Sequence, residues 1–191
     1  MIKIKNCAIF GGTFDPIHLG HLLVIDKLIE SEKFDTIIVV PSGNPVLRKA
    51  VAPAQDRLEM VKLAIQDRKI EVSDCELKRE GASFAIDTAK EIQELHPDSN
   101  LYWVIGSDAF VNISQWHQIG DLAQLVEFLV IERPGSPRVT SEFRSSFWQI
   151  NALPISATDI RNRIRDGNSV KSLLPDAVFE YAMSKDLYGA A

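Results

Sequence analysis

Several features are scarce or missing in this chain. Only two of its 191 residues are cysteine, Cys7 and Cys75. That is too few for the disulfide framework of a small secreted domain, and reduced, packed thiols are expected. No apolar stretch reaches the roughly 18 residues that a membrane-spanning helix needs. Nothing at the N-terminus reads as a signal peptide, because the first residues run straight into a short strand. Basic charge is also short, with 21 Lys and Arg against 26 Asp and Glu and a formal net charge of −5, which argues against general nucleic-acid binding. The densest basic cluster, Arg161, Arg163 and Arg165, is interleaved with Asp159 and Asp166. There are no repeats and no low-complexity tracts. The remainder, 46% hydrophobic and 25% charged, is that of a soluble protein expected in the cytoplasm, with no membrane partner. One domain over residues 1–191 suffices, burying about 70% of the unfolded surface.

Apolar runs of strand length alternate with helical patterns, which predicts an α/β fold: a Rossmann-like open parallel sheet with helices on both faces. The first strand is expected over Ile4 to Phe10, the next over Thr36 to Val40, and later ones at Ile70 to Val72, Leu101 to Ile105, Phe128 to Ile131 and Trp148 to Ile150. Leu22, Ile25, Leu28 and Ile29 have helical spacing, as do Leu58, Val61 and Ile65 within Gln55 to Ile65, and a further helix is expected over Ala85 to Leu95. Pro41 to Pro53 reads as a basic, proline-broken loop that moves on binding. Pro175 is expected at the first position of the last helix.

The most informative stretch joins the first strand to the first helix: Gly11-Gly12-Thr13-Phe14-Asp15-Pro16-Ile17-His18-Leu19-Gly20-His21. A buried strand, a glycine turn and a helix start form an arrangement whose backbone N–H groups can cradle phosphate. The two glycines remove side chains that would hold a ligand away. If the helix starts near Ile17, His18 and His21 share a face of its first turn. Asp15 reads as a lock on the turn through its own backbone. A metal site is the rival use for two histidines, but neither cysteine has ligand spacing to them and a closed zinc site wants four ligands. No protein-held metal is therefore expected, whereas Mg²⁺ carried in with a nucleotide is.

A second helix start follows Ile155, with Ser156 and Thr158 as hydroxyls and Arg161 one turn on. Read locally, Ser156 is a helix cap. Gly106-Ser107-Asp108 is a turn at the carboxyl end of another strand, where open α/β sheets place ligands. Trp116 is either a stacking surface for a planar ring or a partly buried core residue.

The first stretch resembles the signature of the nucleotidylyltransferase superfamily, a G-T-F-D-P segment followed by H-x-G-H. Ile155-Ser156-Ala157-Thr158-Asp159-Ile160-Arg161 is similar to that superfamily's I-S-(S/A)-T-x-I-R segment. With Ile105-Gly106-Ser107-Asp108, Trp116, Arg133-Pro134-Gly135 and Leu173-Leu174-Pro175, the whole chain resembles the bacterial nicotinate-nucleotide adenylyltransferase family. The resemblance implies adenylyl transfer from ATP to nicotinate mononucleotide, giving deamido-NAD and pyrophosphate. His18 and His21 would be the catalytic pair. ATP would be held by Gly11, Gly12, Thr13, Phe14, His18, Gly20, His21, Gly106, Asp108 and Arg133, and by Ile155, Ser156, Thr158 and Arg161, the last group on its β- and γ-phosphates. Arg48, Lys49, Ala85, Trp116 and His117 would hold the acceptor.

Two positions depart from the family. Its P-P-H-(K/R) loop reads Pro45-Val46-Leu47-Arg48 here, so a phosphate role passes to Arg48 or Lys49. Its S-Y-T reads Ser83-Phe84-Ala85, which removes a hydroxyl that could hold the pyridine carboxylate. A sibling enzyme acting on nicotinamide mononucleotide or phosphopantetheine is the nearest rival, and a nucleotide-binding sensor is the rival of another class. The sequence leaves the oligomeric state open, a homo-oligomer included.

Overall fold

Six strands form one sheet, and every strand pair in it is parallel. The computed structural model describes residues 4–46, 49–66, 68, 70–132, 140, 142–151 and 155–189. In chain order the elements are β1 (Lys5–Gly12), α1 (Leu19–Glu30), β2 (Thr36–Pro41), α2 (Ala54–Ile65), β3 (Glu71–Val72), α3 (Cys75–Lys78) and α4 (Ala85–Leu95). They continue with β4 (Ser99–Gly106), α5 (Ser107–Phe110), a 3-10 turn (Ile113–Gln115), α6 (Ile119–Leu125), β5 (Val126–Glu132), β6 (Ser145–Gln149), α7 (Ala157–Arg165) and α8 (Asp176–Ser184). No helix among the described residues is long and apolar enough to cross a membrane.

The four inner strands, β1, β2, β4 and β5, carry apolar runs because both sheet faces are covered there. Ala8, Phe10, Ile37 and Val39 point into one core with residues of α1, α2, α7 and α8, such as Ile25, Met60, Ile160 and Val178. Their neighbours Cys7, Ile9, Ile38 and Val40 point into the other, with Ile86, Ile92 and Leu122 from α4 and α6. The alternation follows from the two-residue period of a strand.

The strand order is β3-β2-β1-β4-β5-β6. Connections run outward one way from β1 and the other way from β4, so the crevice at the carboxyl ends of these two strands is the topological switch point. Gly11 and Gly12 end one of them and Gly106 ends the other.

Several boundaries differ from the sequence expectation, β6 starting at Ser145 rather than Trp148 and β4 at Ser99 rather than Leu101. β1 extends to Gly12 because Gly11 and Gly12 pair with Val40 and Pro41. α1 begins at Leu19 rather than near Ile17, and Ile17 is instead fully buried in the core. Pro175 occupies the cap position of α8, one residue before its first turn. The short helices α3, α5 and α6 lie outside the expected set.

Candidate active site

The turn after β1 is built from close approaches. A Cβ on Gly11 would stand 3.0 Å from the indole of Trp103, and one on Gly12 would stand 2.9 Å from the ring of Phe14. The space that these glycines leave is therefore taken by the protein's own rings, which corrects the view that it is left open for a ligand. Phe14 has a φ of 48°, uncommon for a bulky residue. That conformation folds its ring over Gly12 and edge-on to His21 at 5.1 Å.

His18 caps α1 and is almost fully buried, and His21 is its third helical residue. The two rings stack with centroids 3.7 Å apart and planes 24° from parallel. The backbone N–H of His18 donates to His21 Nδ1 at 3.2 Å, and the His21 N–H donates to the His18 carbonyl at 2.8 Å. The expected pairing is present, but it comes from this reciprocal cap and not from two residues inside one helical turn.

The second helix start packs on the first. Ile155 is buried against Gly20, and the Leu19 N–H donates to the Leu173 carbonyl at 3.1 Å. Ser156 is the cap of α7, its hydroxyl accepting from the Asp159 N–H at 3.1 Å. Arg161 donates to the Thr158 hydroxyl at 3.2 Å and to the backbone carbonyl of Asp15 at 2.6 Å, so its guanidinium ties the two turns together. Gly106 caps α5 at the end of β4, and exposed Asp108 follows, accepting from the Ser107 hydroxyl at 3.4 Å.

Three of the five expected acceptor residues gather around the start of α4. Ala85 is its first residue, and Phe84 before it stacks on His117 at 4.2 Å. Trp116 is half-buried and meets Trp103 edge-on at 6.2 Å, so the indole that packs on Gly11 also supports Trp116. Lys49 is exposed on the rim of a cavity of about 410 Å³ lined also by Gly43, Asn44, Pro45, Ala52 and Arg57. This cavity meets the α4 side where the Asn44 N–H donates to Ser83 Oγ at 3.0 Å and the Ser83 N–H to the Asn44 carbonyl at 2.9 Å. Arg48 and Arg133 lie outside the described residues.

A family model described as cytidylyltransferase-like matches residues 9–163, which takes in both helix-start turns and the start of α4. The chain belongs to the cytidylyltransferase-like family. A protein of Desulfitobacterium hafniense (strain Y51) named "Probable nicotinate-nucleotide adenylyltransferase" is 39% identical over 96% of this chain and 96% of its own. One of the same name from Oceanobacillus iheyensis is 35% identical over 97% of this chain and 98% of its own. Among solved structures, Plasmodium falciparum nicotinic acid mononucleotide adenylyltransferase complexed with NaAD is similar with a TM-score of 0.82 at 25% identity, covering 96% of this chain and 97% of that one.

In this cytidylyltransferase-like chain, Asp15 does not lock its own turn. Its carboxylate reaches across the chain, accepting from the N–H groups of Val51 at 2.7 Å and Ala52 at 3.1 Å and from the phenol of Tyr188 at 2.7 Å. Burial, and then the Asp15 charge, push the Tyr188 phenol far above its ordinary pKa. Arg57, on the buried stripe of α2 with Met60, Val61 and Ala64, is the other residue that local reading misses. Burial lowers its pKa from the usual arginine value, partly offset by Asp15. The available signal was a charged residue in register with an apolar helical stripe.

Proposed function

We propose that the protein transfers the adenylyl group of ATP to nicotinate mononucleotide in the cytoplasm, giving deamido-NAD and pyrophosphate. The observation that carries this reading is the docking of two helix-start turns, His18–His21 and Ser156–Arg161, on each other at the sheet's switch point. Two such turns supply donors for a triphosphate from both sides. The names of the curated relatives and of the Plasmodium structure agree with it.

An oxygen of the acceptor phosphate attacks the α-phosphorus of ATP. As that bond forms, the bond from the α-phosphorus to the bridging oxygen breaks and pyrophosphate leaves, so no protein nucleophile is needed. The chain's own task is to hold two polyanions in line and to stabilise charge growing on the phosphoryl oxygens. Because His21 Nδ1 accepts from backbone, its Nε2 is the proton-bearing nitrogen of the neutral ring and donates to the phosphates. His18 stacks on it and fixes its plane. Gly11, Gly12, Thr13 and Phe14 supply turn backbone, Gly106 gives the nucleoside room at the end of β4, and Ser156, Thr158 and Arg161 hold the departing pyrophosphate. Lys49 and Arg48 meet the acceptor phosphate. Trp116, His117 and the free N–H groups at Ala85 meet the pyridine carboxylate, the helix start favouring an anion.

Among the described residues no group of three or more His, Cys, Asp or Glu could hold a metal ion, and the Asp15 carboxylate is spent on Val51, Ala52 and Tyr188. Exposed Asp108 fits an ion that arrives hydrated on the triphosphate. Mg²⁺ bound in that way supplies charge neutralisation on the phosphate oxygens. The test is to incubate the protein with ATP, Mg²⁺ and nicotinate mononucleotide and to identify products by mass. Deamido-NAD and pyrophosphate in equal amounts are expected, and ATP recovered unchanged would refute the reading.

A further inference from the structure

The guanidinium of Arg57 is 1% exposed and binds three carbonyls from three places in the chain. Nη1 donates to Thr13 at 2.7 Å, Nη2 to Gly43 at 3.1 Å and Nε to Ala52 at 3.2 Å. Thr13 belongs to the nucleotide turn, while Gly43 and Ala52 are the two ends of the acceptor loop. Asp15 duplicates the link on the same loop end through Val51 and Ala52. Gly43 packs closely on α3, where a Cβ would clash with the Glu76 carbonyl oxygen. The next residue, Asn44, is bonded to Ser83, whose neighbour Phe84 stacks on His117. One continuous set of contacts thus runs from the phosphate turn through Arg57 to the acceptor's ring site.

A buried cation is a poor choice for packing alone. Desolvation is costly, and an apolar side chain of similar volume would suit the Met60, Val61 and Ala64 stripe better. What an apolar side chain lacks is the planar fork of donors that holds several acceptors in fixed relation. We infer that Arg57 is a positioning residue that couples the two substrate sites, so that a nucleotide settled on the Thr13 turn tightens binding of the acceptor, and the reverse. The inference rests on the adenylyl-transfer reading above. Because a coupling is a ratio of affinities, a variant that weakens both binding measurements equally leaves it unchanged.

The experiment measures the affinity of nicotinate mononucleotide by calorimetry, with and without a saturating non-hydrolysable ATP analogue. The wild-type protein is expected to bind the acceptor about 5-fold or more tightly with the analogue present, at the lower end of ordinary site-to-site coupling. Arg57→Met should bring that ratio close to one, and Arg57→Lys should leave it between the two. A wild-type ratio of one, or an unchanged ratio in Arg57→Met, overturns the inference. A second measurement needs neither the acceptor nor a variant: the analogue alone should slow hydrogen exchange of the Val51 and Ala52 amides in wild-type protein. Exchange at those amides unaffected by the analogue overturns the coupling even if both variants fail to fold. Wild-type protein that binds the analogue and slows those amides, yet binds no nicotinate mononucleotide, refutes the acceptor assignment and leaves standing the link from the nucleotide turn to the loop end.

Discussion

The rings of His18 and His21 stack 3.7 Å apart, and the His18 N–H donates to His21 Nδ1 across the β1–α1 turn. The His21 ring is walled by Phe14 on another side, at 5.1 Å, so its direction is fixed before any ligand arrives. A preset donor costs no reorganisation when charge develops, which is the basis of its value in catalysis.

Replacing His21 with alanine, which removes the donor, or His18, which frees the His21 ring to turn away, should therefore lower kcat by about 10² to 10³, the usual cost of one stabilising donor. The variants should keep the wild-type far-UV circular dichroism. Steady-state kinetics on both would decide, and wild-type turnover in both would remove the histidines from the chemistry.

Lys49, proposed above to meet the acceptor phosphate, sits on the rim of the cavity of about 410 Å³. Reversing charge with Lys49→Glu and Arg48→Glu together should raise the KM for the acceptor more than the KM for ATP, because the acceptor phosphate would then meet like charge. Equal changes in the two KM values would detach this loop from acceptor binding.

The Tyr188–Asp15 bond gives a prediction about pH. The folded-state pKa of Tyr188 is raised above its ordinary 10.0, so the native chain keeps a proton that the unfolded chain releases. The sign follows: this stability is fully present below pH 10 and is lost as pH rises beyond it, at about 1.4 kcal/mol per pH unit. Tyr188→Phe should flatten the stability–pH curve above pH 10 by one proton. At pH 7 it should lower stability by about 1.5 to 3 kcal/mol, as for a lost bond to a charged group. Urea unfolding at a series of pH values measures both, and an alkaline slope equal to wild type would contradict the first.

The sheet and its larger helices were legible because strands buried on two faces are unbroken apolar runs and because α1, α2 and α4 carry helical spacing. α6 was not, since it has seven residues and its cap, Gln118, lies in the left-handed region with no side-chain cap bond. The two phosphate-type turns were legible as motifs, and Ser156 even as a cap. What local reading could not supply was the wiring between them. Arg57 meets Thr13 from 44 residues away, and Asp15 meets Val51 and Tyr188 across 36 and 173 residues. Local sequence suggests solvated charge for the first and a self-bonded turn for the second, whereas both meet partners brought close only by the folded chain.

Acceptor choice tests the proposed activity most directly, because Ala85 stands where the related family has a threonine. Backbone N–H groups at the start of α4 remain to favour a carboxylate. The measurement is kcat/KM for nicotinate mononucleotide, nicotinamide mononucleotide and phosphopantetheine under identical ATP and Mg²⁺, followed by pyrophosphate release. Nicotinate mononucleotide is predicted to give the highest value, exceeding the amide by about 10-fold or more, as one retained hydrogen bond to a charged group would allow. An equal or inverted ratio, or turnover with phosphopantetheine instead, would contradict the assignment.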